Sequence, residues 1–453
     1  MFFKIDLSKK LCSELIILIL IRYLYLFLTV NILKDLWYIG SGTYGINFNI
    51  YKDILASIVF VFMTVYFCEK MGKNKSSFIS MLLNILYVIY FIPLNTSFSV
   101  NNMSIAYFIS SHVYLFLILY LLSSARFNKN TYKAKSKNFS DNRCLRLIFL
   151  ILCMMFIIYK ISYNGFSFNL TTNSDLIYSN RAEYADYLQS MSGLFISYFI
   201  SILRNLISYV APVYLLISLE KKRIIPIIVS VICILSIFSV SSSKNTIFIM
   251  IVVFVIYILY KYCDTININK IFNIGVLIFL SICLFLYFIG NTTLYILIIR
   301  RIMYVPAWLN TIYFDYFLSA SPVLWSSDTF ILQNIIPSSY DQSVLNIINN
   351  IYFNGKVPSP NTGMFAEAIM HFHYIGVVVY PFIIYVLCKV SDYIYNNYSE
   401  PIKLIVVIKL VVQMTNIPIV RTDFILSYVL FTGLLFIIPL FSGKLNRQEV
   451  KNA

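Results

Sequence analysis

Charge is the scarcest thing in this chain. Only 12% of its 453 residues are Asp, Glu, Lys or Arg, whereas 60% are hydrophobic. An ordinary soluble domain carries roughly twice that charged share, so the two or three soluble domains that the length alone would allow are excluded. Several signatures are missing as well. There is no P-loop, which argues against ATP-driven export. There is no DxD pair and no HExxH, so a metal-dependent transferase or protease is not expected. The eight cysteines form no CxxC or Cys/His spacing, and none falls in an expected outer loop, where an oxidising compartment would pair them. No small-residue cleavage site follows the first apolar run, so that run is expected to stay as a span. No internal repeat of the kind found in inverted-topology transporters is visible. Neither a metal nor a cofactor is expected.

What remains is apolar runs of about 17 to 25 residues, the length that crosses a bilayer core as a helix. The chain therefore reads as an all-α polytopic membrane protein, a single integral membrane domain over residues 1–453. Twelve spans are expected, at 11–33, 54–69, 77–95, 104–123, 147–163, 193–218, 224–240, 245–260, 271–290, 364–388, 402–417 and 424–441. With the N-terminus inside, 23 of the 35 Lys and Arg fall on inner segments, nine at the outer face and three within spans. That bias predicts both termini inside. It also explains the net charge of +16 without nucleic acid, because the bases sit in short loops and not on a folded basic surface. Arg22 and Lys409 read as helix-packing or snorkelling residues. The 17% aromatic content reads as lipid-facing and interfacial belt, not as a platform for sugars.

Two outer segments are long. Residues 164–192 carry the polar run NLTTNSDLIYSNRAEYADYLQS with Arg181. Residues 291–363, between spans nine and ten, open with LYILIIRRIMYVPAWL, which reads as an interfacial amphipathic helix bearing Arg300 and Arg301 and ending near Pro306. The remainder of that loop reads as turns. The outer face is where work is expected. Arg204 lies about 11 residues into its span, roughly 16 Å deep, where an arginine faces a polar cavity or a buried partner. Arg300 and Arg301 are adjacent, so only one points into any given cleft; at headgroup depth they suit either lipid phosphates or a substrate diphosphate. In NTGMFAEAIMHFHYIG, Glu367 and His371 are four apart on one helical face, with Tyr374 next on that stripe and His373 pointing elsewhere. Such a pair supplies or orients a base for a hydroxyl proton, or equally a helix-start acid beside interface histidines. Arg421 and Asp423 in the turn IPIVRTDF are either a local pair or part of an outer cationic cluster.

Together these features resemble the Wzy-type oligosaccharide repeat-unit (O-antigen or capsule) polymerases of bacteria. The resemblance rests on NRAEYADY with Arg181, the following span with Arg204, the small-residue turn FSVSSSKNTIFIMIVV with Lys244, and Gly363, Glu367 and Gly376 after the large outer loop. The family's turn more often reads Gly-Ser-Arg. The resemblance implies a bacterial inner-membrane glycosyltransferase acting at the outer face on undecaprenyl-diphosphate-linked oligosaccharides. Glu367 or His371 would then be the base, and Arg181, Arg204, Arg300, Arg301 and Arg421 would hold diphosphate or glycan. The lipid bilayer is a partner, nucleic acid is not, and a chain-length-regulating co-polymerase is left open. An O-antigen ligase shares this architecture. A flippase for the same lipids is disfavoured by the 73-residue outer loop, and a proton-coupled solute carrier by the near absence of acids in the spans.

Overall fold

The computed structural model describes residues 9–34, 45–73, 78–101, 103–124, 143–166, 194–241, 268–324, 339–355 and 363–397, together with isolated residues such as Glu183, Tyr184, Tyr187, Tyr257 and Lys409. Among them every regular element is a helix. Helix α1 is Lys9–Leu33, α2 Ile50–Lys73, α3 Phe78–Leu86, α4 Ile92–Val100, α5 Ile105–Ser124, α6 Arg143–Asn164, α7 Leu194–Glu220, α8 Ile224–Ser241 and α9 Ile268–Phe288. Then come α10 Val305–Ser319, α11 Val344–Phe353 and α12 Met364–Asn397. Seven helical stretches are long and apolar enough to cross a membrane: α1, α2, Ser80–Val100, α5, α6, α9 and α12. This is a multi-pass membrane protein. The expected spans 402–417 and 424–441, and most of 245–260, lie outside the described residues.

Local chemistry sets the boundaries. Asn49 opens α2, its Oδ1 accepting from the backbone N–H of Tyr51 (3.0 Å) and Lys52 (3.1 Å). Ser343 caps α11 the same way, through Asn346 N. The sequence reading fails at Pro306, where the helix was expected to end. Wide π-turns run over Tyr295–Tyr304 and continue directly into α10, with Pro306 at its second residue. The third span repeats the device: π-turns over Tyr87–Phe91, then α4 with Pro93 at its second residue. A proline in an uninterrupted α-helix lacks one N–H and pushes its ring against the carbonyl four residues back. Widening the preceding turn relieves both, so the helix passes through. Helix α10 is also no surface helix, being buried from Pro306 to Phe314.

The chain forms two compact units. The first holds Met1–Thr131 and Thr265–Asp392, and the second holds Tyr132–Asp264 with Tyr393–Val412. In the first, α1 packs against α9 and α2, and α4 lies between α2 and α10. Two asparagines stitch α3 to α9: Asn84 Nδ2 donates to Asn273 Oδ1 (2.8 Å) and Asn269 Nδ2 to Ser80 Oγ (2.7 Å). In the second unit, α6, α7 and α8 bury Cys153, Phe156, Leu203, Ile207, Ala211, Cys233 and Ile237 against one another. That core is apolar throughout, which leaves its one arginine near the middle of α7 to find a partner at the edge.

Candidate functional site

Helix α12 begins where the sequence reading put its chemistry. Gly363 to His371 are all buried, and Glu367 N–H donates to the Gly363 carbonyl (3.1 Å). A carboxylate in the first turn is favoured by the partial positive charge of a helix N-terminus. Glu367 is 2% exposed and His371 is fully buried, on the same face as expected. The stripe stops there. His373 adopts φ 50° and ψ −138°, outside any helical region, so α12 breaks into Met364–Phe372 and a long second leg. Tyr374, expected as the next member of the stripe, is thrown to the other side of the break and is 52% exposed.

The break is held from both sides. His373 Nε2 donates to the Ala320 carbonyl (3.1 Å), just past the end of α10. Val323 N–H donates to the Met370 carbonyl (3.0 Å), one of those the break deprives of a helical donor. Gly376 then packs directly on the Ala368 backbone, so closely that a Cβ there would lie 3.0 Å from Ala368 Cα and well inside its carbonyl oxygen. Only glycine permits that approach. A strained φ on a non-glycine residue persists only where its surroundings over-determine it, and such positions gather at functional sites.

Aromatic residues from α5, α10 and the third span surround the first leg. Phe365 has Tyr107, Tyr114 and Phe314 around it, with centroids 5.7, 5.4 and 6.1 Å away. The Tyr114 and Tyr380 hydroxyls interact electrostatically with each other, and Tyr114 with Glu367. Asn310 Nδ2 donates to Tyr90 OH (3.2 Å). Asp315, on α10, interacts with Tyr107. A carboxylate enclosed by phenols, with histidine one turn below, is in a medium that magnifies charge; it can take a proton and pass it on. Asp315 and the tyrosines were missed in the sequence because no short motif links them. They meet only through packing of α5 and α10 on α12.

The arginines fall into different situations. In the first unit, Arg300 is half-buried and donates from Nε to the Ile296 carbonyl (3.1 Å), while Arg301 is exposed. The two diverge as expected. Burial, reinforced by Arg301 next door, lowers the Arg300 guanidinium's hold on its proton. In the second unit, Arg204 is half-buried with its guanidinium 5.3 Å above the Tyr184 ring. Arg181, Lys244 and Arg421 lie outside the described residues. Among the described residues no three His, Cys, Asp or Glu side chains gather as metal ligands would.

A second polar cluster went unnoticed in the sequence. Arg22 is fully buried, pairs with Asp53 (2.7 Å) and donates from Nε to Asn95 Oδ1 (2.9 Å). Ser99 Oγ donates to the same Asp53 oxygen (2.9 Å). His112 Nδ1 faces the Phe108 carbonyl (2.7 Å), which can only accept, so Nδ1 carries the proton. Its Nε2 therefore accepts from Asn95 Nδ2 (3.1 Å), and every orientation in the chain is fixed. Arg22 packs between helices as one of its two expected readings had it and does not snorkel. Lys409 is likewise buried, donating to Asn205 Oδ1 (3.0 Å).

Searches of family models, curated proteins and solved structures return no match to this chain.

Proposed function

We propose that this protein is a polymerase that joins undecaprenyl-diphosphate-linked oligosaccharide repeat units into O-antigen or capsular polysaccharide, at the outer face of a bacterial inner membrane. Twelve spans with both termini in the cytoplasm belong to the same reading. The observation that carries it is a carboxylate and a histidine buried one turn apart at the head of a helix that breaks immediately afterwards. Irregular backbone at membrane depth is tolerated where it lines a cavity or is enclosed by protein, and there it serves chemistry or transport. In the proposed reaction an acceptor hydroxyl oxygen attacks the anomeric carbon of the donor and the bond from that carbon to the diphosphate oxygen breaks. The hydroxyl proton passes to Glu367, with His371 beside it, and the diphosphate leaves with the electron pair, balanced by guanidinium groups such as Arg300 and Arg301.

The test is the surface glycan of a host strain lacking the gene, complemented with wild type, Glu367→Gln or Arg301→Ala at equal membrane levels. The expected result is a single repeat unit on its final anchor in place of long chains, restored by wild type and not by Glu367→Gln. Loss of all surface glycan would replace this reading by a ligase or a flippase. An unchanged ladder would sink the glycan reading altogether.

A further inference from the structure

We propose that Tyr159, Tyr163, Tyr184 and Tyr187 form, with Arg204, a subsite in the second unit for the phosphate–sugar junction of a lipid-linked saccharide, an inference that rests on the glycan reading above. The argument starts from Arg204. A guanidinium has two faces and an edge of five N–H donors. One face of Arg204 lies over the Tyr184 ring at 5.3 Å, a cation–π contact that leaves the edge unused. Among the described residues that edge meets no carboxylate and no hydrogen-bond acceptor, and Glu183, the acid next to Tyr184, is exposed. A half-buried arginine so far along a span does not stay without an acceptor for structural reasons. An edge of parallel donors fits a phosphate.

The tyrosines extend this edge into something a bare anion would not need. Tyr159 O–H donates to the Tyr184 hydroxyl (3.3 Å), so Tyr184 keeps its own proton for another acceptor. Tyr163 stands edge-on to Tyr184, with centroids 5.4 Å apart and planes at 77°, and Tyr187 closes on Tyr163 at 4.6 Å. Aromatic anchors of a membrane interface stand singly with their rings among headgroups. Here Tyr184, from the polar outer run, is buried to 4% exposure and joined to the last turns of α6. Rings offer sugar C–H faces a stacking surface and phenols offer the sugar hydroxyls partners, while the guanidinium takes the phosphate beside them. The sequence reading of the aromatics as mere belt fails for these four.

The test uses the purified full chain in phosphatidylcholine nanodiscs and two probes, farnesyl diphosphate and farnesyl-diphosphate-linked N-acetylglucosamine. Wild type should bind the sugar-bearing probe roughly tenfold more tightly. Arg204→Gln should weaken both probes, Tyr163→Leu should erase the preference for the sugar and spare the bare probe, and Tyr163→Phe should keep the preference. Equal binding of both probes by wild type, or a preference that survives in a folded Tyr163→Leu protein, would overturn the subsite. If tyrosine-dependent binding stands while the host's glycan ladder is unchanged on gene deletion, the subsite is kept and the polymerase reading falls.

Discussion

The Arg22–Asp53 pair allows a charge to be removed from either end and the cost compared. Arg22 has 0% of its side chain exposed and Asp53 15%, and Arg22 Nη1 has no hydrogen-bond partner in the first place. In Asp53→Ala the guanidinium keeps only its bond to Asn95 and cannot rehydrate without opening α1 from α2. Removing one partner of a buried pair costs about 3–5 kcal/mol, and the partial exposure of Asp53 puts this case near the lower end, about 3 kcal/mol. Arg22→Leu leaves a carboxylate that still accepts from Ser99 and reaches the helix end, for about 2 kcal/mol. Removing both, as Arg22→Leu with Asp53→Leu, should lie within about 1 kcal/mol of wild type, because apolar replacement of a buried pair is often neutral. The coupling energy is then about 4 kcal/mol. Reversible unfolding in mixed detergent–SDS micelles, followed by intrinsic fluorescence, measures all four proteins. A loss below about 1 kcal/mol for Asp53→Ala, or a double variant as unstable as the sum of the singles, would refute the argument that this charge is held away from water.

Two further outcomes follow from the break in α12. Gly376→Ala sets a methyl against Ala368 backbone, which cannot rotate away as a side chain does, so about 3 kcal/mol or more should be lost in the same unfolding assay, and a fully stable variant would mean that the two legs are not in contact. His373→Gly should change stability by less than about 1 kcal/mol, since relief of a left-handed φ offsets the lost bond to Ala320, whereas His373→Val should cost roughly 2–3 kcal/mol; equal effects of the two would deny the strain.

How much of this was legible beforehand depends on the range of the physics involved. Nine expected spans coincide with helices because apolar length is a property of consecutive residues. Glu367 and His371 were visible because a spacing of four repeats once per helical turn. The break at His373 was not, because its neighbours Phe372 and Tyr374 are ordinary helix residues; what holds it is Ala320 and Val323, some fifty positions away. Gly376 carried a faint signal, since a glycine inside an apolar run asks for a close approach, but the partner backbone could not be named. Arg22, Asp53, Asn95 and His112 each look unremarkable in their own helices, and the proton on His112 Nδ1 is fixed only once four helices meet. Pro306 misled because the rule that proline ends a helix assumes α geometry on both sides of it.

The wide turns before Pro93 and Pro306 have a consequence for phase. A π-turn amounts to an α-helix with one residue too many, so everything beyond each such insertion is rotated by about 100° relative to the same sequence wound evenly. A helical wheel drawn through residues 293–319 therefore mixes two different wheels, one ending with Arg300 and Arg301 and another beginning near Trp308. The two wide-turned segments lie against each other in the first unit, so neither can rewind alone without turning its neighbour's side chains out of register. A single-residue deletion in this stretch is thus not a shortening but a rotation, one that swings every later residue of α10, Asp315 among them, to a new face.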